Sequence, residues 1–257
     1  MGTLAWLALG VLAGCAPGPE CTGWEANGRV AVEVGRGTDG ATREAEILGT
    51  SEAGAPLVVF WHGRGQRPRD VIAAAGLAEV AAAGAVVVVP GSTDPDGQTW
   101  TVAAGGRDEA FFDAIVSCAT EARHVEGVFV SGFSFGGFLA TALAMHAEAL
   151  AGAVVFSGGL DGTSLSYEEP SEAMPVLLSW GGPSDTVLGA NGETIRFPQL
   201  TRSFGDALAA DDHDVWACDH GGGHRIPGAA PRMIQAWIYQ DPTALPAGCE
   251  PWPEESP

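Results

Sequence analysis

Apolar residues follow two different spacings along the chain, and the two spacings alternate. Short continuous apolar runs, such as Leu57–Trp61 and residues 85–90, are typical of strands that are buried on both faces of a sheet. Longer segments between them have helical spacing, and in Arg107–Arg123 this spacing turns Phe111 and Ile115 toward a core. Because strands and helices alternate, the pattern predicts an α/β fold with a mainly parallel sheet flanked by helices.

The same pattern places the individual elements. The predicted strands cover residues 30–34, 43–48, 56–61, 85–90, 125–131, 150–156, 175–180 and 214–218, of which the first two form an antiparallel pair. The predicted helices cover residues 68–83, 107–123, 138–146, part of 194–210 and 230–239. The polar segment 160–173 predicts a loop, so we expect no separate lid domain.

The length of the chain fits one domain with an additional segment at each end. A chain of 257 residues is long enough for a single α/β domain with a stable core. We predict a signal peptide at residues 1–15, a tether at 16–28, the domain at 29–241 and an irregular Pro-rich tail at 242–257.

The charge of the chain is strongly acidic. All 12 cationic residues are arginine, and 32 acidic residues bring the formal net charge to −20. Such a surface repels a phosphate backbone and other acidic polymers. We therefore expect no nucleic acid among the partners of this protein.

The first residues have the pattern of an export signal. Residues 4–12 are apolar but too few to span a bilayer as a helix, and they lead into Leu-Ala-Gly-Cys at residues 12–15. This ending resembles the lipobox of bacterial lipoproteins, although no Lys or Arg precedes the apolar stretch. The resemblance implies a lipidated Cys15, an outer-membrane or cell-surface location, and membrane contact through the lipid alone. The alternative is an ordinary secretory signal and a secreted or periplasmic protein.

Four further cysteines indicate two disulfides. They are Cys21, Cys118, Cys218 and Cys249, and an even number in an exported chain is typical of a disulfide framework. Three connectivities are open, of which we prefer Cys218 with Cys249 and Cys21 with Cys118. No Cys-x-x-Cys pair occurs and the histidines are scattered, so no metal site is expected.

The segment Gly-Phe-Ser-Phe-Gly-Gly at residues 132–137 carries the strongest chemical signal. An apolar strand precedes it and a helix-forming run follows it. A strand, Gly-x-Ser-x-Gly and a helix form the nucleophile elbow of serine hydrolases, in which a sharp turn projects the serine hydroxyl from the strand end. Ser134 is therefore the candidate nucleophile, and the helix N-terminus behind it favours developing negative charge.

The candidate acid and base follow later strands. Asp185 lies after the strand that ends at Trp180, and His224 follows the strand that ends at Cys218. The order Ser, Asp, His is the order of an α/β-hydrolase, in which the base takes the serine proton and the acid fixes the imidazole.

Each of these two assignments has competitors. His220 lies four residues before His224, but three glycines before His224 make a loop that can bring its ring to the serine. Asp161 and Asp219 also follow strands, and the position after the penultimate strand favours Asp185 over both.

An oxyanion hole requires two backbone N–H groups. One follows the nucleophile, at Phe135, and the other comes from the loop after an early strand. That loop contains His62, Gly63 and Arg64; we predict that Arg64, or else Gly63, donates, and that His62 shapes the loop.

These motifs together resemble the secreted, lidless α/β-hydrolases that include polyhydroxybutyrate depolymerases, feruloyl esterases and acetylxylan esterases. The resemblance rests on residues 57–63, 132–137 and 181–185 and on Gly-Gly-Gly-His-Arg-Ile-Pro-Gly at 221–228. It implies an α/β-hydrolase fold and a monomeric serine carboxylesterase that acts without a cofactor on a small-molecule, polysaccharide or polyester ester. Arg64 stands where a small residue or Cys is common, and inside the cleft it would favour substrates with a carboxylate. The alternatives are a serine peptidase of the same fold and a non-catalytic binding lipoprotein on this scaffold.

Overall fold

A nine-stranded sheet forms the centre of the molecule. The computed structural model describes residues 21–34, 42–50, 52–92, 100–189 and 191–253. The strands of the main sheet are β1 (Gly28–Glu33), β2 (Thr42–Gly49), β3 (Leu57–Trp61), β4 (Val86–Pro90), β5 (Val128–Phe133), β6 (Leu150–Phe156), β7 (Val176–Trp180), β10 (Val215–Asp219) and β11 (Cys249–Pro251). A separate hairpin contains β8 (Thr186–Leu188) and β9 (Thr194–Arg196).

The order of the strands across the main sheet is β1-β2-β4-β3-β5-β6-β7-β10-β11. The six strands from β4 to β10 in this order run parallel, whereas β1, β2 and β11 join antiparallel at the two edges. The sheet is thus mainly parallel, as the alternation of strands and helices predicts. All loops that leave the carboxyl ends of the parallel strands emerge at one edge of the sheet, where ligands bind in such folds.

Helices cover both faces of the sheet. They are α1 (Pro68–Ala74), α2 (Leu77–Ala82), α3 (Arg107–Arg123), α4 (Phe135–His146), α5 (Phe197–Ala210) and α6 (Ala230–Ile238). Along β3, alternate residues enter different cores, so Val59 packs with side chains of α3, α4 and α5, and Val58 with those of α1, α2 and α6. Every residue of β3 is buried, which explains its unbroken apolar run.

The helices predicted at residues 68–83 and within 194–210 differ from the structure. The helix expected at residues 68–83 is divided into α1 and α2, because Gly76 between them has a left-handed backbone with φ of +60°. Residues 194–196 are a strand, and the helix expected within 194–210 begins only at Phe197. Residues 160–173 contain no helix or strand, in agreement with the predicted loop.

The predicted tether is partly wrong, because its second half is packed against the domain. Trp24 is fully buried, and its carbonyl accepts a 2.6 Å hydrogen bond from the buried Arg123. Cys21 is joined to Cys118 of α3. Residues 21–28 therefore belong to the folded unit, whereas residues 1–20, which contain Cys15 and the expected signal, lie outside the described residues.

The predicted irregular tail contributes a strand. Residues 249–251 form β11, which pairs with β10 and places Cys249 opposite Cys218, to which it is disulfide-bonded. The two disulfides are the pairs that the sequence analysis preferred. None of the helices in the described ranges is long and apolar enough to cross a membrane.

Candidate active site

Ser134 lies in the turn between β5 and α4, at the carboxyl edge of the sheet. Its backbone has φ of +56° and ψ of −118°, a conformation that few residues other than glycine adopt. A Cβ on Gly136 would lie 2.1 Å from the carbonyl oxygen of Trp61, and one on Gly132 would lie 2.1 Å from that of Gly136. The elbow therefore requires glycine at both places, which is the close approach that the motif predicts.

His224 lies in the loop after β10 and contacts both other predicted residues. Its Nε2 is 2.8 Å from the Ser134 hydroxyl, and its Nδ1 is 2.7 Å from Oδ1 of Asp185. In the tautomer with the proton on Nδ1, the ring donates to the carboxylate and accepts from the serine hydroxyl. The structure thus brings all three residues into one hydrogen-bonded line.

The backbone aligns the loop of the acid with the loop of the base. The N–H of Gly223 donates to the carbonyl of Gly181 over 2.8 Å, and the N–H of His220 donates to the carbonyl of Trp180 over 2.9 Å. These bonds extend the pairing of β7 with β10 into the loops that contain Asp185 and His224. The distance between acid and base is therefore set by main-chain bonds.

Asp185 is fully buried and has a full set of donors. Its Oδ2 accepts from the Ser157 hydroxyl at 2.8 Å and from the Gly181 N–H at 2.9 Å, while Oδ1 faces His224. Burial alone would raise the pKa of Asp185, but the hydrogen bonds from His224, Gly181 and Ser157 hold it below its usual value. The side chain is consequently a carboxylate at neutral pH.

The alternative candidates for the acid, Asp161 and Asp219, and for the base, His220, make hydrogen bonds within their own loops. Asp161 accepts hydrogen bonds from the backbone N–H groups of residues 163, 164 and 165, and Asp219 accepts from the N–H of Gly221. His220 faces its own loop, where Nδ1 lies 3.2 Å from the Gly222 N–H, and burial lowers its pKa. His224 and Asp185 are the histidine and aspartate that the structure brings to Ser134.

Two aromatic rings enclose the imidazole of His224. The ring of Phe197 stacks on it with centroids 4.4 Å apart and planes at 17°, and the ring of Phe133 lies at 4.9 Å and 29°. Phe133 ends β5 and Phe197 begins α5, so elements far apart in sequence hold the ring. Sequence analysis missed Phe197, and nothing in its local pattern could have indicated this contact.

The candidate donors of an oxyanion hole are two backbone N–H groups, one in the turn after β5 and one in the loop after β3. Phe135 is the first residue of α4, so its N–H has no carbonyl of a preceding helical turn to bond. The N–H of Gly63 is not free, because it donates to Oε1 of Gln66 over 2.8 Å. Of the two donors considered in the loop after β3, this bond excludes Gly63 and favours Arg64.

His62 has a structural environment. Its side chain is buried, with Nδ1 2.9 Å from the Gly63 carbonyl, and burial lowers its pKa. The indole N–H of Trp100 donates to the His62 carbonyl over 2.8 Å. These contacts hold the loop after β3 and agree with the shaping role expected for His62.

An open cleft of about 1000 Å³ contains Ser134 and His224. One part of its lining is apolar and consists of Phe135, Phe138, Leu165, Val187, Leu188 and Ile195. Leu188 is 74% exposed and sits on the β8–β9 hairpin, which sequence analysis did not predict. The charged lining residues are Arg64, Asp161, Glu193 and Arg196.

Comparison with known proteins identifies the fold. No protein-family model and no curated protein matches this chain. Among solved structures, native pOPH has a TM-score of 0.70 at 19% identity, over 89% of this chain and 95% of that chain. A ferulic acid esterase has a TM-score of 0.60 at 14% identity, over 82% and 95% of the two chains. A Bacillus cereus carboxylesterase has a TM-score of 0.58 at 17% identity, over 77% and 94%. The strand order, the elbow after β5 and these similarities together establish that the chain has the α/β-hydrolase fold.

Proposed function

We propose that this protein is a serine carboxylesterase that uses Ser134, His224 and Asp185 as nucleophile, base and acid. The observation that carries the proposal is the hydrogen-bonded line from Asp185 through His224 to the Ser134 hydroxyl, at the carboxyl edge of the sheet. A serine hydroxyl is a weak nucleophile near neutral pH and needs a base within hydrogen-bond reach. The solved structures named esterase or carboxylesterase support the same reaction class.

The reaction proceeds through an acyl-enzyme. Ser134 Oγ attacks the ester carbonyl while His224 Nε2 takes the hydroxyl proton, and Asp185 stabilises the resulting imidazolium. The N–H groups of Phe135 and Arg64 bind the oxyanion, each such donor contributing about 3 kcal/mol to barrier lowering. His224 then gives its proton to the leaving alcohol oxygen as the bond to the carbonyl carbon breaks. A water molecule, deprotonated by His224, releases the acid and restores Ser134.

The cleft supports an extended ester as substrate. It is open, and residues 160–173 lie beside it as a loop rather than as a lid domain. We therefore propose an ester of a polysaccharide, of a polyester or of a small alcohol, such as a feruloyl or acetyl ester or a hydroxyalkanoate oligomer. The structure named as a ferulic acid esterase supports a feruloyl ester as one candidate.

Hydrolysis of an ester panel tests the proposal. The panel contains p-nitrophenyl acetate, butyrate and octanoate, methyl ferulate and a hydroxybutyrate oligomer. Wild type is compared with Ser134→Ala and with Ser203→Ala, which removes an exposed hydroxyl of α5 outside the cleft.

We expect turnover and fluorophosphonate labelling in wild type and Ser203→Ala, and loss of both in Ser134→Ala. A residual rate of about 10⁻³ or less is the expected magnitude for loss of the nucleophile. A folded wild type that hydrolyses none of these esters and is not labelled would contradict the proposal.

We also propose that the protein acts outside the cytoplasm on a lipid anchor at Cys15. The two disulfides support an oxidising compartment, because such bonds rarely persist among cytoplasmic proteins. Incorporation of radiolabelled palmitate in a bacterial host tests the anchor. We expect labelling of wild type and none of Cys15→Ala, and an unlabelled wild-type protein released in soluble form would contradict anchoring.

A further inference from the structure

Two arginines from separate loops line the cleft that contains Ser134. Arg64 follows β3 and Arg196 ends β9, and both side chains are exposed. Across the described part of the chain, neither arginine takes part in a salt bridge, whereas five other arginines do. Each guanidinium is thus available to a ligand in the cleft.

Two acidic residues line the cleft together with these two arginines. The carboxylate of Asp161 is occupied by the backbone N–H groups of residues 163–165 and by the Ser164 hydroxyl. These bonds turn its charge toward its own loop. Glu193 is the other acidic residue of the lining. The lining therefore has a formal charge of zero, from two arginines against Asp161 and Glu193, in a chain whose formal net charge is −20.

Both arginines are next to residues of the candidate active site. The Arg64 guanidinium carbon is 5.6 Å from the centroid of the Phe135 ring, which immediately follows the nucleophile. Arg196 immediately precedes Phe197, whose ring stacks on His224. A negative charge on an ester bound at Ser134 would consequently share the cleft with both arginines.

We propose that Arg64 and Arg196 select esters that carry a free carboxylate close to the ester bond. The inference rests on the proposed esterase function and names its substrate class. The remainder of the surface repels anions, so a cleft without cations would discriminate against such substrates. The two guanidinium groups offset the acidic charge within the cleft and hold the carboxylate by charge-assisted hydrogen bonds. An acidic polymer remains disfavoured, because most of its charges would face the acidic surface outside the cleft.

Matched ester pairs that differ only in charge test the inference. The first pair is the mono-p-nitrophenyl ester of adipic acid and the p-nitrophenyl ester of its half-amide. The second pair, 4-carboxyphenyl and 4-carbamoylphenyl butyrate, moves the charge to the alcohol side. The readout for each pair is the ratio of kcat/KM for the carboxylate to that for the amide.

The variants are Arg64→Gln, Arg196→Gln and their combination. Arg64→Gln retains the backbone N–H that is proposed for the oxyanion. Arg232→Gln makes the same change of charge at an exposed position on α6 outside the cleft, and serves as the control. Melting temperatures establish that every variant is folded.

We expect a ratio above one in wild type for at least one pair. Each cleft substitution should lower that ratio about threefold, and the double variant about tenfold, as for exposed charge pairs. Arg232→Gln should keep the wild-type ratio. Raising NaCl to 0.5 M should lower the wild-type ratio toward that of the double variant, because salt screens exposed charges.

Different failures separate the two proposals. If the amides are hydrolysed and Ser134→Ala abolishes this, but both ratios are at or below one or are unchanged by the cleft variants, the inference fails and the esterase function stands. If folded wild type hydrolyses neither member of either pair but hydrolyses another ester of the panel, the inference fails alone. If it hydrolyses none of these esters and is not labelled by the fluorophosphonate, the esterase function fails and the inference fails with it.

Discussion

At the scale of single residues, Asp185 shows how a fully buried carboxylate stays charged. Two hydrogen bonds reach Oδ2, and His224 lies 2.7 Å from Oδ1, so every side that could face water faces a donor. Because these donors hold the pKa of Asp185 below its usual value, the carboxylate stabilises the fold above about pH 4. That contribution is lost as the pH falls through the lowered pKa.

Replacing Asp185 by Asn should separate catalysis from folding. We expect kcat to fall about 10³- to 10⁴-fold, because an amide no longer favours the Nδ1–H tautomer of His224. Unfolding in urea should show a loss of stability at pH 7 that shrinks as the pH falls below about 4, the ordinary pKa of Asp, and through the lowered pKa of Asp185 in the folded state.

Asp161, an alternative candidate for the acid, provides the control for the Asp185→Asn substitution. Asp161→Asn keeps an oxygen that can accept from its own loop, so kcat should stay within about tenfold of wild type. An equal loss in both variants, or a larger loss in Asp161→Asn, would contradict the assignment of Asp185.

Replacing Gly136 by Ala should damage the elbow itself. The added Cβ would lie 2.1 Å from the Trp61 carbonyl, and neither backbone can yield without moving β3 or α4. We expect the free energy of unfolding to fall by about 3 kcal/mol or more, together with loss of ester hydrolysis. Gly228→Ala is the control, since a Cβ there meets no atom within 4 Å. Equal stability of the two variants would contradict this explanation of the glycine.

At the scale of elements, the sequence predicts the buried sheet well and the edges poorly. The sequence predicts helix α3 at its observed bounds and strand β3 to within one residue, because burial on one helical face or on both faces of a sheet leaves a recognisable pattern. The pattern also indicates where the strands end, so it places Ser134, Asp185 and His224 on loops that follow strands. The role of the three residues in catalysis remains a prediction.

The strands that the sequence analysis did not predict have little local hydrophobic pattern. Strands β8, β9 and β11 are three residues long, and most of their residues are exposed or half-buried. Strand β11 exists because Cys249 is bonded to Cys218 and pairs with β10, which are contacts at a distance of 31 residues. Similarly, the Gly63–Gln66 bond that favours Arg64 as oxyanion donor depends on a turn conformation rather than on a motif.

The start of α5 provides a test of how the base is positioned. Phe197→Leu removes one of the two rings that enclose His224, so the imidazole can rotate away from Ser134. We expect kcat to fall about tenfold with little change in KM, because small misplacements of a catalytic group are costly. Phe197→Tyr keeps the ring and should restore most of the activity. A lower melting temperature with unchanged kcat would show that the ring contributes to packing alone.

At the scale of the whole molecule, the excess of acidic groups opposes compaction. The chain has 32 acidic residues against 12 arginines, so folding concentrates like charges. Raising NaCl from 0.02 to 0.5 M should therefore increase the melting temperature, by about 3–5 °C, because the Debye length shortens from about 20 Å to a few ångströms. Thermal unfolding at both salt concentrations measures this, and an unchanged or lower melting temperature would contradict it.

The β8–β9 hairpin begins directly after Asp185 and ends directly before Phe197, and the Phe197 N–H donates to the Asp185 carbonyl over 3.1 Å. This hydrogen bond closes the hairpin at its start and end. The tip of the hairpin can therefore change in length or sequence without moving Asp185 or the Phe197 ring that stacks on His224. The hairpin nevertheless supplies Leu188 and Arg196 to the cleft. For protein engineering, the hairpin is consequently a segment that can be exchanged to change the substrate preference while the proposed catalytic residues stay in place.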